Sequence, residues 1–145
     1  QLERIECSHL ANRPWSYLSQ GERQRLLIGR ALMAEALDAM VLDEPCAGLD
    51  PVAREKFIAF VQGLAAEGAF NSMILVTHHV EEIIPSITHA LLMKDGRVVA
   101  AGEKESTLTS ENLTKTFDTP VEISQNEEGR YELTLLVRET YPIGS

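Results

Sequence analysis

Cysteine is nearly missing from the chain: Cys7 and Cys46 are the only two among 145 residues. Two thiols cannot build a disulfide framework, and the default they imply is a reducing cytoplasm. No apolar run approaches the roughly 18 residues of a membrane span, and no secretory signal is visible. Basic residues are outnumbered, 13 Lys and Arg against 22 Asp and Glu. The resulting net charge of -9 argues against a broad nucleic-acid-binding surface. Internal repeats and low-complexity segments are lacking too. Gln1 is not an initiator methionine, which leads us to expect that the natural beginning of the chain is missing.

What remains is ordinary globular material, 44% hydrophobic and 24% charged, long enough for one domain with a core. Residues 2–17 are amphipathic and then irregular, with Pro14, Trp15 and Tyr17 ahead of a helix. Ser19 with Glu22 three residues later is a capping box, so a helix should start there. Leu26, Leu27, Ala31, Leu32, Ala34 and Leu37 follow at spacings that suit a largely buried helix. "AMVLDEP" (Ala39–Pro45) and "SMILVTHH" (Ser72–His79) read as strands buried on both faces, as in parallel sheets. Between them Pro51 opens a helix through about Glu67, with Phe57, Ile58, Phe60, Val61 and Leu64 inward and Gly68 as the stop.

A brief helix over Val80–Ile84 is cut short by Pro85. "HALLMKDGRVVAAG" (His89–Gly102) is a hairpin about Asp95-Gly96. A weak helix from Ser106 to about Phe117 comes next, and then a closing hairpin over Val121–Val137. Strand, helix, strand, helix, strand is the α/β pattern of a parallel sheet with crossover helices.

In such sheets ligands bind beyond the carboxyl ends of the strands, and three groups converge there. Asp43 and Glu44 end the first strand and, being adjacent, point in different directions. One suits Mg²⁺ held through water, and the other suits polarising an attacking water. His78 ends the second strand, where an imidazole can touch a developing phosphoryl charge. "AGLD" (Ala47–Asp50) is a tight turn that sets Asp50 nearby. The helix start at Ser19 needs no ligand to be explained. Yet Gly21 lets a backbone be approached closely, and a helix N-terminus offers N–H groups and a positive dipole end to an anion. Arg23, Arg25 and Arg30 read as partners for acidic neighbours.

Taken in order, these elements resemble the C-terminal half of an ATP-binding-cassette (ABC) ATPase. "LSQGE" (Leu18–Glu22) is similar to the family's signature motif, usually LSGGQ, with Gln20 and Glu22 as departures. "MVLDEP" looks like Walker B plus the catalytic glutamate, "AGLD" like the D-loop, and "VTHH" like the switch-histidine segment, with His79 where Asp is common. The resemblance covers roughly residues 1–105, and the ordered set is highly specific. Residues 106–145 then form a C-terminal extension with a short helix and a hairpin.

The resemblance implies a P-loop NTPase-like α/β fold and an ATP-hydrolysing subunit of an ABC transporter. Ser19, Gln20, Gly21 and Glu22 would meet ATP held by the opposite subunit of a head-to-tail dimer. Glu44 would be the general base, His78 would contact the γ-phosphate, Asp43 would organise Mg²⁺ through water, and Asp50 would communicate across the dimer. The partners implied are a second ATPase subunit, identical or paired, and a membrane-spanning subunit, with no nucleic acid. The place implied is the cytoplasm, at the inner face of the cell membrane. No G-x-x-x-x-G-K-[ST] occurs in the chain, so the loop that cradles phosphates is lacking.

The family's adenine-stacking aromatic and Q-loop glutamine are lacking as well. We therefore expect a fragment that hydrolyses no ATP alone, with exposed apolar surface where the strand of that loop would lie. Competing readings are a soluble ABC ATPase of DNA repair or translation, and a non-catalytic fragment that self-associates.

Overall fold

The computed structural model describes residues 2–3, 5, 7–34 and 37–136, which fall into two compact units, Gln1–Ser86 and Ile87–Ser145. In the first unit, α1 (Gln20–Ala31) starts where the capping box dictates. Ser19 Oγ accepts from the Glu22 N–H at 3.2 Å, and Glu22 Oε2 accepts from the Ser19 N–H at 2.8 Å. Both donors would otherwise lack a helical partner. The helix ends at Ala31, short of Ala34 and Leu37, and buries only Ile28 and Gly29.

Leu27 is 49% exposed, so the largely buried helix expected from the periodicity becomes a helix buried along one narrow stripe. Gly29 explains the stripe's tightness. A Cβ there would stand 2.5 Å from Cδ1 and 3.2 Å from Cγ2 of Ile5, itself 1% exposed. The bare backbone is what lets Ile5 seat against the helix.

Strands β1 (Ala39–Asp43) and β2 (Ser72–Val76) pair in parallel, in register from Ala39 opposite Ser72 to Asp43 opposite Val76. The crossover between them is α2 (Pro51–Ala66), with Pro at its first position. Gly68, at φ 69°, ends it in the left-handed conformation that a side chain disfavours. Phe57, Ile58 and Val61 of α2 meet Leu42 and Leu75 of the strands in one apolar cluster. The opposite face of the strands is not covered: Val41, Ile74 and Val76 are 60%, 55% and 45% exposed. Burial on both faces, expected from the apolar runs, is therefore corrected to burial on one. Among the described residues the sheet has two strands, and α2 shields a single side.

In the second unit, β3 (His89–Lys94) and β4 (Arg97–Glu103) form the antiparallel hairpin expected at Asp95-Gly96. Both turn residues have positive φ, 49° and 72°, as a hairpin turn matched to strand twist requires. The single weak helix expected over 106–117 is two: α3 (Lys104–Thr107) and α4 (Ser110–Phe117). Thr109 separates them because its hydroxyl caps α4 through the Asn112 N–H at 3.2 Å. The closing hairpin, β5 (Val121–Gln125) and β6 (Tyr131–Leu135), is antiparallel as read. Val137, its expected end, lies outside the described residues. Leu113 of α4 and Val121 of β5 are 1% and 2% exposed and centre this unit's core. The architecture is α/β, with a parallel pair and crossover helix followed by antiparallel hairpins.

Gly29 gives a stability test. Gly29→Val forces branched carbons into the space of Ile5, and overpacking of this kind costs about 1–3 kcal/mol. Chemical denaturation should show that loss, and an unchanged midpoint would mean that Ile5 does not seat there.

Candidate functional site

The site is assembled by the carboxyl ends of β1 and β2. Beyond Asp43 the chain leaves the sheet, but the Glu44 N–H still donates to the Val76 carbonyl at 2.8 Å. The Glu44 carbonyl accepts from the Ala47 N–H at 3.1 Å, which starts the turn. Held by both bonds, Glu44 takes φ 45°, a left-handed conformation that a non-glycine residue adopts at some cost. The bend brings its side chain to the end of β2. There Glu44 Oε1 accepts a hydrogen bond from His78 Nδ1 at 2.6 Å.

A carboxylate only accepts, so Nδ1 carries the proton and Nε2, on the far side of the ring, is left to face a ligand. The His79 ring packs on His78, with centroids 4.5 Å apart and planes inclined by 40°. Chemically this is a carboxylate and an imidazole sharing a proton at an open sheet edge, a pair suited to activating water or steadying an anion.

Asp43 is exposed at the last position of β1, and it is Glu44, not Asp43, that meets His78. Asp50 also sits in a defined role. Its Oδ1 accepts from the Ala53 N–H at 2.9 Å and caps α2. The turn before it is pinned by buried Pro45 and Cys46 and relieved at Gly48, φ 78°. Leu49 of that turn lies against the start of α1, where a Cβ on Gly21 would meet only Leu49 Cδ2, at an ordinary 3.9 Å. The structure thus joins Glu44 to His78 and Gly21 to Leu49. Among the described residues no hydrogen bond links Ser19 or Glu22 to Glu44 or His78.

Two of the arginines find aromatic rings. Arg23 lies 5.7 Å from the Trp15 ring centre and donates to the Ser16 carbonyl at 3.4 Å, and Arg25 lies 5.2 Å from the Phe60 ring centre. Guanidinium planes suit such faces, which sequence spacing alone does not reveal. Sequence reasoning also passed over Thr77 and Glu82, joined by a 2.6 Å hydrogen bond beside His78. The N-terminal corner has its own electrostatics. The Ser19 backbone N–H holds the Glu22 carboxyl below its usual range, with the Ser19 hydroxyl, Arg13 and His9 acting in the same direction and partial burial opposing them. His9 Nε2 lies 3.7 Å from Glu22 Oε1.

The chain is similar to known proteins in sequence and in fold. The chain is 43% identical over 127 residues to the ABC transporter ATP-binding protein YlmA of Bacillus subtilis (strain 168), covering 88% of this chain and 48% of that protein. It is 33% identical over 115 residues to the thiamine import ATP-binding protein ThiQ of Vibrio parahaemolyticus serotype O3:K6 (strain RIMD 2210633), covering 79% and 48%. Among solved structures, an ABC transporter in an inward-facing conformation superposes with a TM-score of 0.81 at 29% identity, over 94% of this chain and 55% of that one. The chain spans about half the length of the curated relatives it matches most fully. No family model matches the chain. The fold is that of P-loop NTPases, in part.

The capping box predicts an acid sensitivity. Because Glu22 binds its proton less readily when folded, its contribution to stability is present above its unfolded value near 4.5 and is lost as pH falls through the lower folded value. Glu22→Gln keeps the box geometry and removes the charge. Thermal melts from neutral pH down to roughly pH 3 should show less acid destabilisation in the variant than in the parent. Parallel curves would remove the charge from this role.

Proposed function

The chain belongs to the ABC transporter ATP-binding proteins, and on that premise we propose that it forms the hydrolytic half of an ATPase subunit that powers a membrane transporter. The observation that carries the reading is the 2.6 Å bond between Glu44 and His78 at the ends of two parallel strands. Residues 1–105 would belong to the nucleotide-hydrolysing domain and 106–145 to an extension. The phosphate-gripping loop would come from a segment of the full-length protein that this sequence does not include.

In this reading Glu44 takes the proton of a water aligned with the γ-phosphate, and His78 Nδ1–H steadies the carboxylate that does so. With a second proton on Nε2, His78 would also donate to a phosphate oxygen and follow the charge that develops there. Asp43, an exposed carboxylate at a strand end, is the residue that would hold Mg²⁺, through water. The ion, when bound, neutralises phosphate charge.

Gly21 supports a second part of the reading. Its helix position has an ordinary φ and room for a Cβ, so this chain's own packing does not require glycine there. A glycine in a helix costs roughly 0.5–1 kcal/mol relative to alanine. Its bareness then serves a group from outside, the γ-phosphate of ATP held by a second subunit in a head-to-tail dimer. Leu49, beside Gly21, and Asp50, which follows it and caps α2, would carry the news of that contact to α2 and the Glu44 turn. The membrane-spanning partner would hold the pair at the inner face of the membrane. No helix among the described residues is long and apolar enough to cross a membrane. The relatives named for thiamine and molybdenum import transport those solutes in their own systems, and the solute of this one is set by its membrane partner.

Two variants of the full-length protein test the reading together. Glu44→Gln should lower hydrolysis by about 10²-fold or more while ATP-bound dimers accumulate. Gly21→Asp puts a charge where the phosphate must approach. It should leave ATP binding by each monomer intact and abolish both ATP-driven dimerisation and hydrolysis. Near-normal turnover in Glu44→Gln would remove the base, and unaltered dimerisation in Gly21→Asp would reduce Ser19–Glu22 to a helix cap.

A further inference from the structure

One buried acid in the first unit has no part in the chemistry above. Glu82 is 4% exposed, at the end of the 3₁₀ turn Val80–Glu82, and it lines an apolar cluster with Leu42, Phe57, Ile58, Val61 and Ile84. A carboxyl group in such surroundings is costly unless its bonds are satisfied. Its partner is the Thr77 hydroxyl, which donates to Glu82 Oε2 at 2.6 Å, within the range of charge-assisted O–H···O⁻ bonds. With its proton committed there, Thr77 Oγ1 accepts from the His79 N–H at 3.1 Å. The Glu82 N–H donates in turn to the His79 carbonyl at 3.1 Å.

These three bonds close a ring around one residue. Thr77 lies before His78 and His79 after it, and both are tied to a group fixed in the core. An exposed histidine on an unsupported loop would sample many rotamers. Here the backbone on either side of it is held, and its ring reaches Glu44 at 2.6 Å. Nothing in the packing of α2 or β2 requires an acid at position 82, since the cluster around it is apolar.

We propose that Glu82 is a positioning residue, acting through the Thr77 hydroxyl to hold His78 in line with Glu44 and the phosphate. The proposal rests on the role given to His78 above and adds to it a buried support. It makes the Thr77–Glu82 bond a determinant of turnover and not of nucleotide affinity, because these two side chains bond to each other and to the His79 backbone.

The test uses the full-length protein and four variants. Thr77→Val removes the hydroxyl and keeps the branched shape. Thr77→Val with Glu82→Leu removes both partners of the buried bond, so no buried carboxyl is orphaned, and the exposed His79 N–H turns to water. Thr77→Ser restores the hydroxyl, and His78→Ala reports the histidine itself. Melting temperatures accompany the kinetics. Loss of alignment should lower kcat about tenfold in Thr77→Val and in the double variant, with KM for ATP within about twofold of the parent. Thr77→Ser should return kcat to within about twofold of the parent. Parental kcat in the double variant, alongside lost turnover in His78→Ala, would overturn this proposal alone. A raised KM at unchanged kcat would overturn it as well. Parental turnover in His78→Ala would overturn the role of His78, and this proposal with it.

Discussion

A parallel pair of strands ends in two side chains that share one proton, and the first unit is arranged around that meeting. The register that sets Asp43 opposite Val76 lets the Glu44 N–H add one more bond to the ladder. That bond bends the chain into a positive φ and swings Glu44 onto His78. A shift of one residue in register would send Glu44 to the other face of the sheet and leave His78 without its carboxylate. The core beneath serves this constraint. Leu42 and Leu75 fix the strands against α2, and buried Pro45 and Cys46 anchor the turn that follows Glu44. The strained backbone at Glu44 is supported from both sides, the usual circumstance in which strain persists at a functional position.

Much of this was legible in the sequence because it depends on neighbours a few residues apart. The capping box at Ser19 and Glu22, the Pro51 helix start, the stop at Gly68 and the Asp95-Gly96 turn are each local, and each stands where it was read. What escaped depends on what lies across space. Periodicity marks Leu27 and Ile74 as apolar but cannot say that no described element covers them. Glu81 and Glu82 look alike in the sequence, and only the fold shows that one of them lies in the apolar cluster, bonded to Thr77. Spacing told that Asp43 and Glu44 diverge, but not which of them turns toward His78. Asp50 was read for its place in a motif, and its bond to the Ala53 N–H adds a plain structural duty as the cap of α2.

The uncovered face of the sheet and the bare Gly21 point to the same physical condition. Val41, Ile74 and Val76 present apolar surface that no described element shields. Gly21 offers backbone beside which a Cβ would meet only Leu49 Cδ2, at an ordinary 3.9 Å, among the described residues. In the proposed reading, the Glu44–His78 pair that would activate water has no phosphate-gripping loop beside it in this sequence, so each half of the chemistry would wait on atoms from elsewhere. The central claim is that the α1 N-terminus of one subunit works on nucleotide held by another.

Mixing two inactive full-length proteins tests that claim most directly. One carries Gly21→Asp, and the other lacks the lysine of its phosphate-binding loop. In a mixed head-to-tail dimer, one of the two sites then has an intact loop from the first protein and an intact helix start from the second. The account predicts that the mixture hydrolyses ATP although neither protein does so alone. A mixture that assembles into dimers and stays inactive would contradict it.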